Sequence, residues 1–204
     1  DPIPKMFFFK KIRNYRISNF DQKLEILKKF KVDFIINKKF DLKFSKIKCN
    51  KFIEKFLYKK LSAKLIFVSN NFRFGNKREG DVRQLIKYEH QCNYKIIKPK
   101  PLLIKKKVVS STLIRNYLQK GELKKVNKLL NREWSIEGKV QKGKQLGKKI
   151  GFPTANIDIK DYILGCPGVY VVRVRSKKSP KYFKGIANLG YRPTFSGKKI
   201  LLEV

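Results

Sequence analysis

Residues 138–156 read Gly138-Lys-Val-Gln-Lys-Gly143-Lys-Gln-Leu-Gly147-Lys-Lys-Ile-Gly151-Phe-Pro153-Thr154-Ala-Asn156, with four glycines inside fourteen positions. Glycines at this density let a backbone approach a ligand closely and turn its N–H groups towards an anion. The intervening lysines add positive charge where a polyphosphate would lie. Thr154 and Asn156, two residues apart, offer a hydroxyl and an amide oxygen, hard donors that suit Mg²⁺. From composition alone the same run is equally a flexible basic loop between two strands.

The elements around this run fall into two patterns. In the first, Asn19 to Phe30 carries Phe20, Leu24 and Leu27 at helical spacing, with Asn19 as its cap. Val32 to Ile36 reads as a buried strand, Lys51 to Leu61 as a helix and Leu65 to Val68 as a second strand. A loop from Ser69 to Gly80 follows, then a helix from Asp81 to Gln91 and a strand from Tyr94 to Ile97. Ser110 or Ser111 can cap a helix through Leu118, and Glu122 to Leu130 forms another. Strands alternating with helices of about ten residues predict an α/β domain with a parallel sheet. Ligands of such sheets sit beyond the carboxyl ends of the strands, which directs attention to the loop after Val68 and the turn into Ser111.

After Trp134 the helical periodicity stops. Val169-Tyr-Val-Val-Arg-Val174 alternates as a strand does, and Gly185 to Leu189 and Ile200 to Val204 are further strand candidates. Short strands with tight turns predict an antiparallel barrel or sandwich. The domain boundary is placed at the end of the last helix, giving residues 1–131 and 132–204.

The net charge of +36 invites a nucleic-acid reading, yet its distribution argues otherwise. Basic residues number 27 in positions 1–100 and 24 in 101–204, so no segment is singled out. Of the 51, 41 are Lys and 10 are Arg, as drift in codon usage on exposed surfaces would produce, whereas nucleic-acid sites concentrate Arg. No specific nucleic-acid partner is expected. No apolar run approaches the ~18 residues that span a bilayer, so no membrane partner is expected either. Cys49, Cys92 and Cys166 are odd in number and widely spaced, which fits a reducing cytoplasm better than a disulfide framework or a zinc site. Nothing in the sequence signals an oligomeric state.

Five motifs in order then carry a resemblance over nearly the whole chain. Asn71-Phe-Arg-Phe-Gly75 with Arg78-Glu-Gly-Asp81, Val109-Ser-Ser-Thr112-Leu-Ile-Arg115, Gly147 to Asn156, Gly168-Val-Tyr170 and Ala187-Asn-Leu-Gly-Tyr-Arg192-Pro-Thr-Phe195 resemble those of the bacterial bifunctional riboflavin kinase and FAD synthetase (FMN adenylyltransferase). The resemblance implies a Rossmann-like nucleotidyltransferase domain with a parallel sheet, followed by a truncated antiparallel β-barrel kinase domain. It implies an enzyme of flavin cofactor biosynthesis that uses riboflavin, ATP and Mg²⁺ to make FMN, then FMN and ATP to make FAD. On the kinase side, Gly143, Gly147 and Gly151 would cradle ATP, Thr154 and Asn156 would hold Mg²⁺, and Glu203 would accept the proton of the attacking ribityl hydroxyl. Arg192 would contact flavin or brace its own turn. On the adenylyltransferase side, Ser111 and Thr112 would donate to ATP phosphates at a helix N-terminus. Arg115, one turn on, would stabilise the leaving pyrophosphate, and Asn71 would contact the flavin. Phe72 and Phe74 are read equally as core or as flavin-stacking.

Two departures bear on the second activity. The family's His-x-Gly-His motif is absent, as expected of a chain that starts at a remnant of the family's Phe-Asp-Pro-His-Pro segment, and Ile3 stands where that segment has His. His90, the only histidine, falls in a predicted helix as a surface residue. Expressed alone, this stretch is expected not to adenylylate FMN. Two competing readings are an enzyme keeping only the kinase activity, and a basic nucleic-acid-binding protein on an α/β scaffold.

Overall fold

A computed structural model describes residues 2–9, 12, 15–141, 151, 153–159, 162–194 and 197–204, with only the backbone described at 192–194 and 197–199. The chain divides into two compact units, one formed by Asp1–Lys11 with Ile36–Val108 and the other by Ile12–Ile35 with Val109–Val204. Helix α1 (Pro4–Phe8) begins on a proline, whose missing N–H is no loss in a first turn. Helix α2 (Phe20–Lys29) opens with a reciprocal capping box. Asn19 Oδ1 accepts from the Gln22 N–H at 2.7 Å, and Gln22 Oε1 accepts from the Asn19 N–H at 2.9 Å.

The expected buried strand at Val32 to Ile36 is not formed. The segment is irregular and exposed, with Phe34 at 90% of its free surface. An apolar run becomes a strand only when a neighbouring strand takes up its backbone groups, and none pairs with it among the described residues. Asp41 then caps α3 (Leu42–Ser45), and α4 (Cys49–Phe52) continues as a π-helical stretch, Ile53–Lys60, where the sequence predicts one helix. Strand β1 (Leu65–Phe67) leads into a hairpin of β2 (Arg73–Phe74) and β3 (Gly80–Asp81). The predicted helix after Asp81 is α5 (Val82–Lys87) and α6 (Glu89–Cys92), interrupted at Tyr88, and His90 is exposed on α6. Strand β4 (Lys95–Ile97) pairs in parallel with β1, placing Ile66 opposite Ile96, and β5 (Leu103–Ile104) with β6 (Lys107–Val108) forms a small hairpin. Ile53, Phe74, Val82, Leu85, Tyr94 and Ile96 form the core of this unit. Phe74 is buried and Phe72 stacks on it at 5.6 Å, so both serve the core.

Gly75 is where this unit tolerates least change. Its φ is +76°, and an added Cβ would stand 2.9 Å from the Cα, Cβ and N of Cys49. Most of those atoms are helix backbone, which does not yield as a flexible side chain would. Gly75→Ala is expected to destabilise by roughly 1–3 kcal/mol. Urea unfolding followed by circular dichroism measures this, and an unchanged midpoint refutes the close packing.

In the other unit, α7 (Ser111–Gln119) and α8 (Leu123–Leu130) pack through Ile114, Leu118 and Val126 against Ile163. A five-stranded antiparallel sheet follows, built from β7 (Val140–Gln141), β8 (Asn156–Ile157), β9 (Gly168–Val174), β10 (Phe183–Thr194) and β11 (Gly197–Glu203). Its spatial order is β7-β8-β11-β10-β9, an open sheet among the described residues. Gln22 ties helix to sheet region: its Nε2 donates to the Ser135 carbonyl and Oγ, both at 3.0 Å, and its Oε1 accepts from Tyr162 Oη at 2.9 Å. Trp134 Nε1 donates to the Ile17 carbonyl at 2.8 Å. The helices of residues 111–130 thus share a compact unit with the sheet.

Candidate functional site

Strand register assembles the first group of candidate residues. Glu203 lies opposite Asn156 on β8 and opposite Asn188 on β10, while Asn156 also faces Gln141 on β7. Cross-strand partners project from the same face of a sheet, so Gln141, Asn156, Glu203 and Asn188 form one polar row across four strands. The next row, with Ile157, Leu202 and Leu189, turns to the opposite face and packs with Ile159, Tyr162 and Trp134. A slip of one residue in β11 would bury Glu203 in that apolar layer, so the pairing is fixed by the hydrophobic face.

Within the row, Asn156 Oδ1 is buried and has no hydrogen-bond partner. An unsatisfied buried carbonyl oxygen costs about 1–3 kcal/mol, and a bound cation or donor would relieve it. Gln141 Nε2 donates to Asp158 Oδ2 at 3.0 Å, adding a second carboxylate on this side of β8. Thr154 is exposed just before β8, beside Ala155, which exchanges backbone hydrogen bonds with Val204 at 2.7 and 2.9 Å. Gly151 has φ +84° with open space around it. Gly143, Gly147 and the side chain of Arg192 lie outside the described residues. Among those described, no group of three or more His, Cys, Asp or Glu side chains is placed to hold a metal. That agrees with a cation such as Mg²⁺, which takes one or two protein oxygens and completes its shell with water and phosphate.

The second group sits at the start of α7. Ser110 is the cap, its Oγ accepting from the Leu113 N–H at 3.2 Å. Ser111 and Thr112 are exposed in the first turn, and Thr112 has no side-chain partner among the described residues. Arg115 is half-buried and held on three sides. Its Nε donates to the Tyr15 carbonyl at 2.9 Å, its Nη1 to Ser111 Oγ at 3.1 Å, and its guanidinium lies 3.7 Å from the Tyr15 ring centroid. Burial lowers its pKa. Lys23 of α2 is lowered too, first by burial and then by the charges of Arg16 and Arg115. Three cations crowded at a helix N-terminus make a field that favours a polyanion.

The third group lines a pocket of about 550 Å³ between β1 and α5, formed by Asn70, Asn71, Arg73, Arg78, Asp81 and Arg83. Asn71 is exposed, and its Oδ1 accepts from Ser69 Oγ at 2.9 Å, which leaves its amide hydrogens to donate. Asp81 caps α5 by accepting from the Gln84 N–H at 3.0 Å and pairs with Arg73 at 3.6 Å. The backbone bond from Gln84, helped by Arg73 and Arg83, holds its carboxyl below the usual range.

The sequence reading passes over Asn188, Tyr15 and Arg83. Asn188 alternates with the apolar Ala187 and Leu189, a signal that was available. Tyr15 is one hundred residues from Arg115, and no local pattern announces that contact.

Comparison with known proteins identifies the fold's relatives. The FAD synthetase family model matches residues 1–113, and the riboflavin kinase model matches residues 130–204. A bifunctional riboflavin kinase/FMN adenylyltransferase of Buchnera aphidicola subsp. Schizaphis graminum is 39% identical over 207 residues, covering 100% of this chain and 66% of the relative. Its namesake in Haemophilus influenzae is 36% identical, covering 98% of this chain and 65% of the relative. That of Escherichia coli K12 is 33% identical, covering 100% and 65%. The chain therefore spans about two thirds of the length of these relatives. The crystal structure of a macrolide-efflux protein from Streptococcus pneumoniae is also similar, with TM-score 0.77 and 28% identity, covering 92% of this chain and 60% of that one. No helix among the described residues is long and apolar enough to cross a membrane. With one family model matching more than half of its length and the other most of the remainder, the chain belongs to the bifunctional riboflavin kinase and FAD synthetase family.

Proposed function

We propose that this protein makes flavin cofactors in the cytoplasm, phosphorylating riboflavin to FMN and adenylylating FMN to FAD, with ATP as co-substrate in both steps. The reading takes residues 1–131 as a Rossmann-like nucleotidyltransferase domain and 132–204 as a β-barrel riboflavin kinase domain. The observation that carries it is the pairing of Asn156 with Glu203 in one polar row of the sheet. Phosphoryl transfer requires a base beside the attacking hydroxyl and charge neutralisation at the phosphate, and this row supplies both within adjacent strands. Glu203 takes the proton of the riboflavin 5′-hydroxyl, and Asn188 steadies it from β10. Gly143, Gly147 and Gly151 carry the ATP phosphates. In the other step, Ser111 and Thr112 bind ATP phosphates, Arg115 steadies the departing pyrophosphate, and Asn71 holds the flavin. Arg192 contacts the flavin beside the kinase row.

The unsatisfied Asn156 Oδ1 fits a hard cation, so Thr154 and Asn156 are the residues that would hold Mg²⁺. When bound, the ion neutralises phosphate charge. Asn156→Leu is expected to raise the Mg²⁺ concentration needed for half-maximal FMN formation by about tenfold, the order found for lost metal-site contacts. An unchanged Mg²⁺ requirement would remove Asn156 from the metal site. The function as a whole is tested by incubating the protein with riboflavin, ATP and Mg²⁺ and separating the flavins by chromatography. FMN followed by FAD is expected, and the absence of any flavin product overturns the reading.

A further inference from the structure

The Arg78 and Arg83 side chains of the pocket beside Asn71 have no role in the fold. Neither makes an ion pair or side-chain hydrogen bond among the described residues, whereas Arg73 is taken up by Asp81. Three guanidinium groups face a single carboxylate, and that carboxylate already caps α5 and pairs with Arg73. The pocket is therefore left with an excess of about two positive charges at neutral pH.

The residue choice is unusual for this chain. Arg makes up 10 of 51 basic residues overall, yet three of the four between positions 73 and 83 are Arg. Lysine supplies charge as well as arginine does. The guanidinium adds a planar fork that holds two oxygens of one phosphate at once. The loop that carries Arg78 is also built with care. Lys77 and Arg78 sit at φ +48° and +63°, a left-handed pair that costs on the order of 1–3 kcal/mol per residue. Anchors offset that cost: the Asn76 N–H donates to the Ile47 carbonyl at 2.7 Å, and Glu79 Oε1 accepts from the Cys49 N–H at 2.7 Å. Gly75 and Gly80 lie tight against Cys49. A fixed loop holding two unpaired arginines over an open pocket is preorganised for an anion with little left to order.

We infer that this pocket binds the phosphate monoester of FMN through Arg78 and Arg83, and so selects phosphorylated over unphosphorylated flavin for adenylylation. The inference rests on the proposed function and names the group by which that site reads its substrate. The chemistry required is a phosphate dianion on a neutral, polar body. Asn70 and Asn71 offer amides to such a body, and riboflavin differs from FMN only in lacking the anion.

The test is a titration of the ¹⁵N-labelled protein followed at the arginine Nε–Hε and asparagine side-chain amide signals. FMN is expected to move the Arg78 and Arg83 signals, riboflavin to leave them in place, and inorganic phosphate to move them with at least tenfold weaker affinity. In Arg78→Gln/Arg83→Gln, FMN affinity read at Arg73 and Asn71 is expected to fall at least tenfold, with the melting temperature unchanged. Arg83→Gln alone repeats the reading should the double variant unfold. The inference is overturned if FMN leaves these arginines unmoved, if riboflavin moves them equally, or if phosphate binds as tightly as FMN. It is also overturned if ATP moves them at lower concentration than FMN. Failure of FAD formation in the wild-type protein would instead remove the parent reading, and the two outcomes are read by separate measurements.

Discussion

Glu203→Gln is expected to slow FMN formation by about 10²–10⁴-fold, the range associated with a lost general base. The amide matches the carboxylate in shape and keeps the cross-strand place between Asn156 and Asn188, so the sheet has no reason to rearrange. What changes is chemistry: an amide oxygen cannot take up the proton that leaves the attacking hydroxyl. Riboflavin affinity should therefore stay within about threefold while the single-turnover rate collapses, a split between binding and chemistry that a misfolded variant would not give. The neighbouring polar row sharpens the expectation. The Asn156 and Asn188 amides can each donate to a carboxylate between them, which keeps the charged, proton-accepting form present at neutral pH. A rate within about fivefold of wild type would make Glu203 a bystander on an open sheet face.

Arg115→Lys is expected to lower FAD formation from FMN and ATP by about 10²–10³-fold, comparable to losing a donor that stabilises developing charge. Lysine keeps the charge but not the geometry. Arg115 reaches the Tyr15 carbonyl through Nε and Ser111 through Nη1 while its plane lies on the Tyr15 ring. An ammonium cannot make that set of contacts from one position. The loss would be one of aim, with the net charge beside Lys23 and Arg16 unchanged. FMN formation in the same preparation is the internal control, and a matched fall in both activities would mean that the variant acts on the fold and not on nucleotide chemistry.

The two sites differ in how they are written in the chain. The capping box at Asn19 and Gln22, the Ser110 cap of α7 and the glycine-rich approach to Asn156 were legible because each is made by residues within a few positions of one another. Local hydrogen-bonding chemistry carries its own signature, and the motifs named the family for the same reason. The α-then-β change in periodicity near Trp134 was likewise legible, since helices and strands bury their apolar residues with different periods.

Other features depend on residues meeting across long stretches of chain. Val32 to Ile36 has the composition of a strand and yet lies exposed, because pairing requires a partner and composition does not say whether one is available. The helices of residues 111–130 share a compact unit with the following sheet, although their spacing resembles that of the preceding α/β elements. Arg115 gained its direction from Tyr15 and its repulsive neighbour from Lys23, both remote in sequence. The sequence by itself determined the residue types at each candidate site, the caps and turns that hold them, and the family. Tertiary structure alone decided that Asn156, Glu203 and Asn188 share one row and that two arginines stand unpaired beside Asn71. Strand register and side-chain pairing are non-local, settled only when the whole apolar layer behind them has chosen its side.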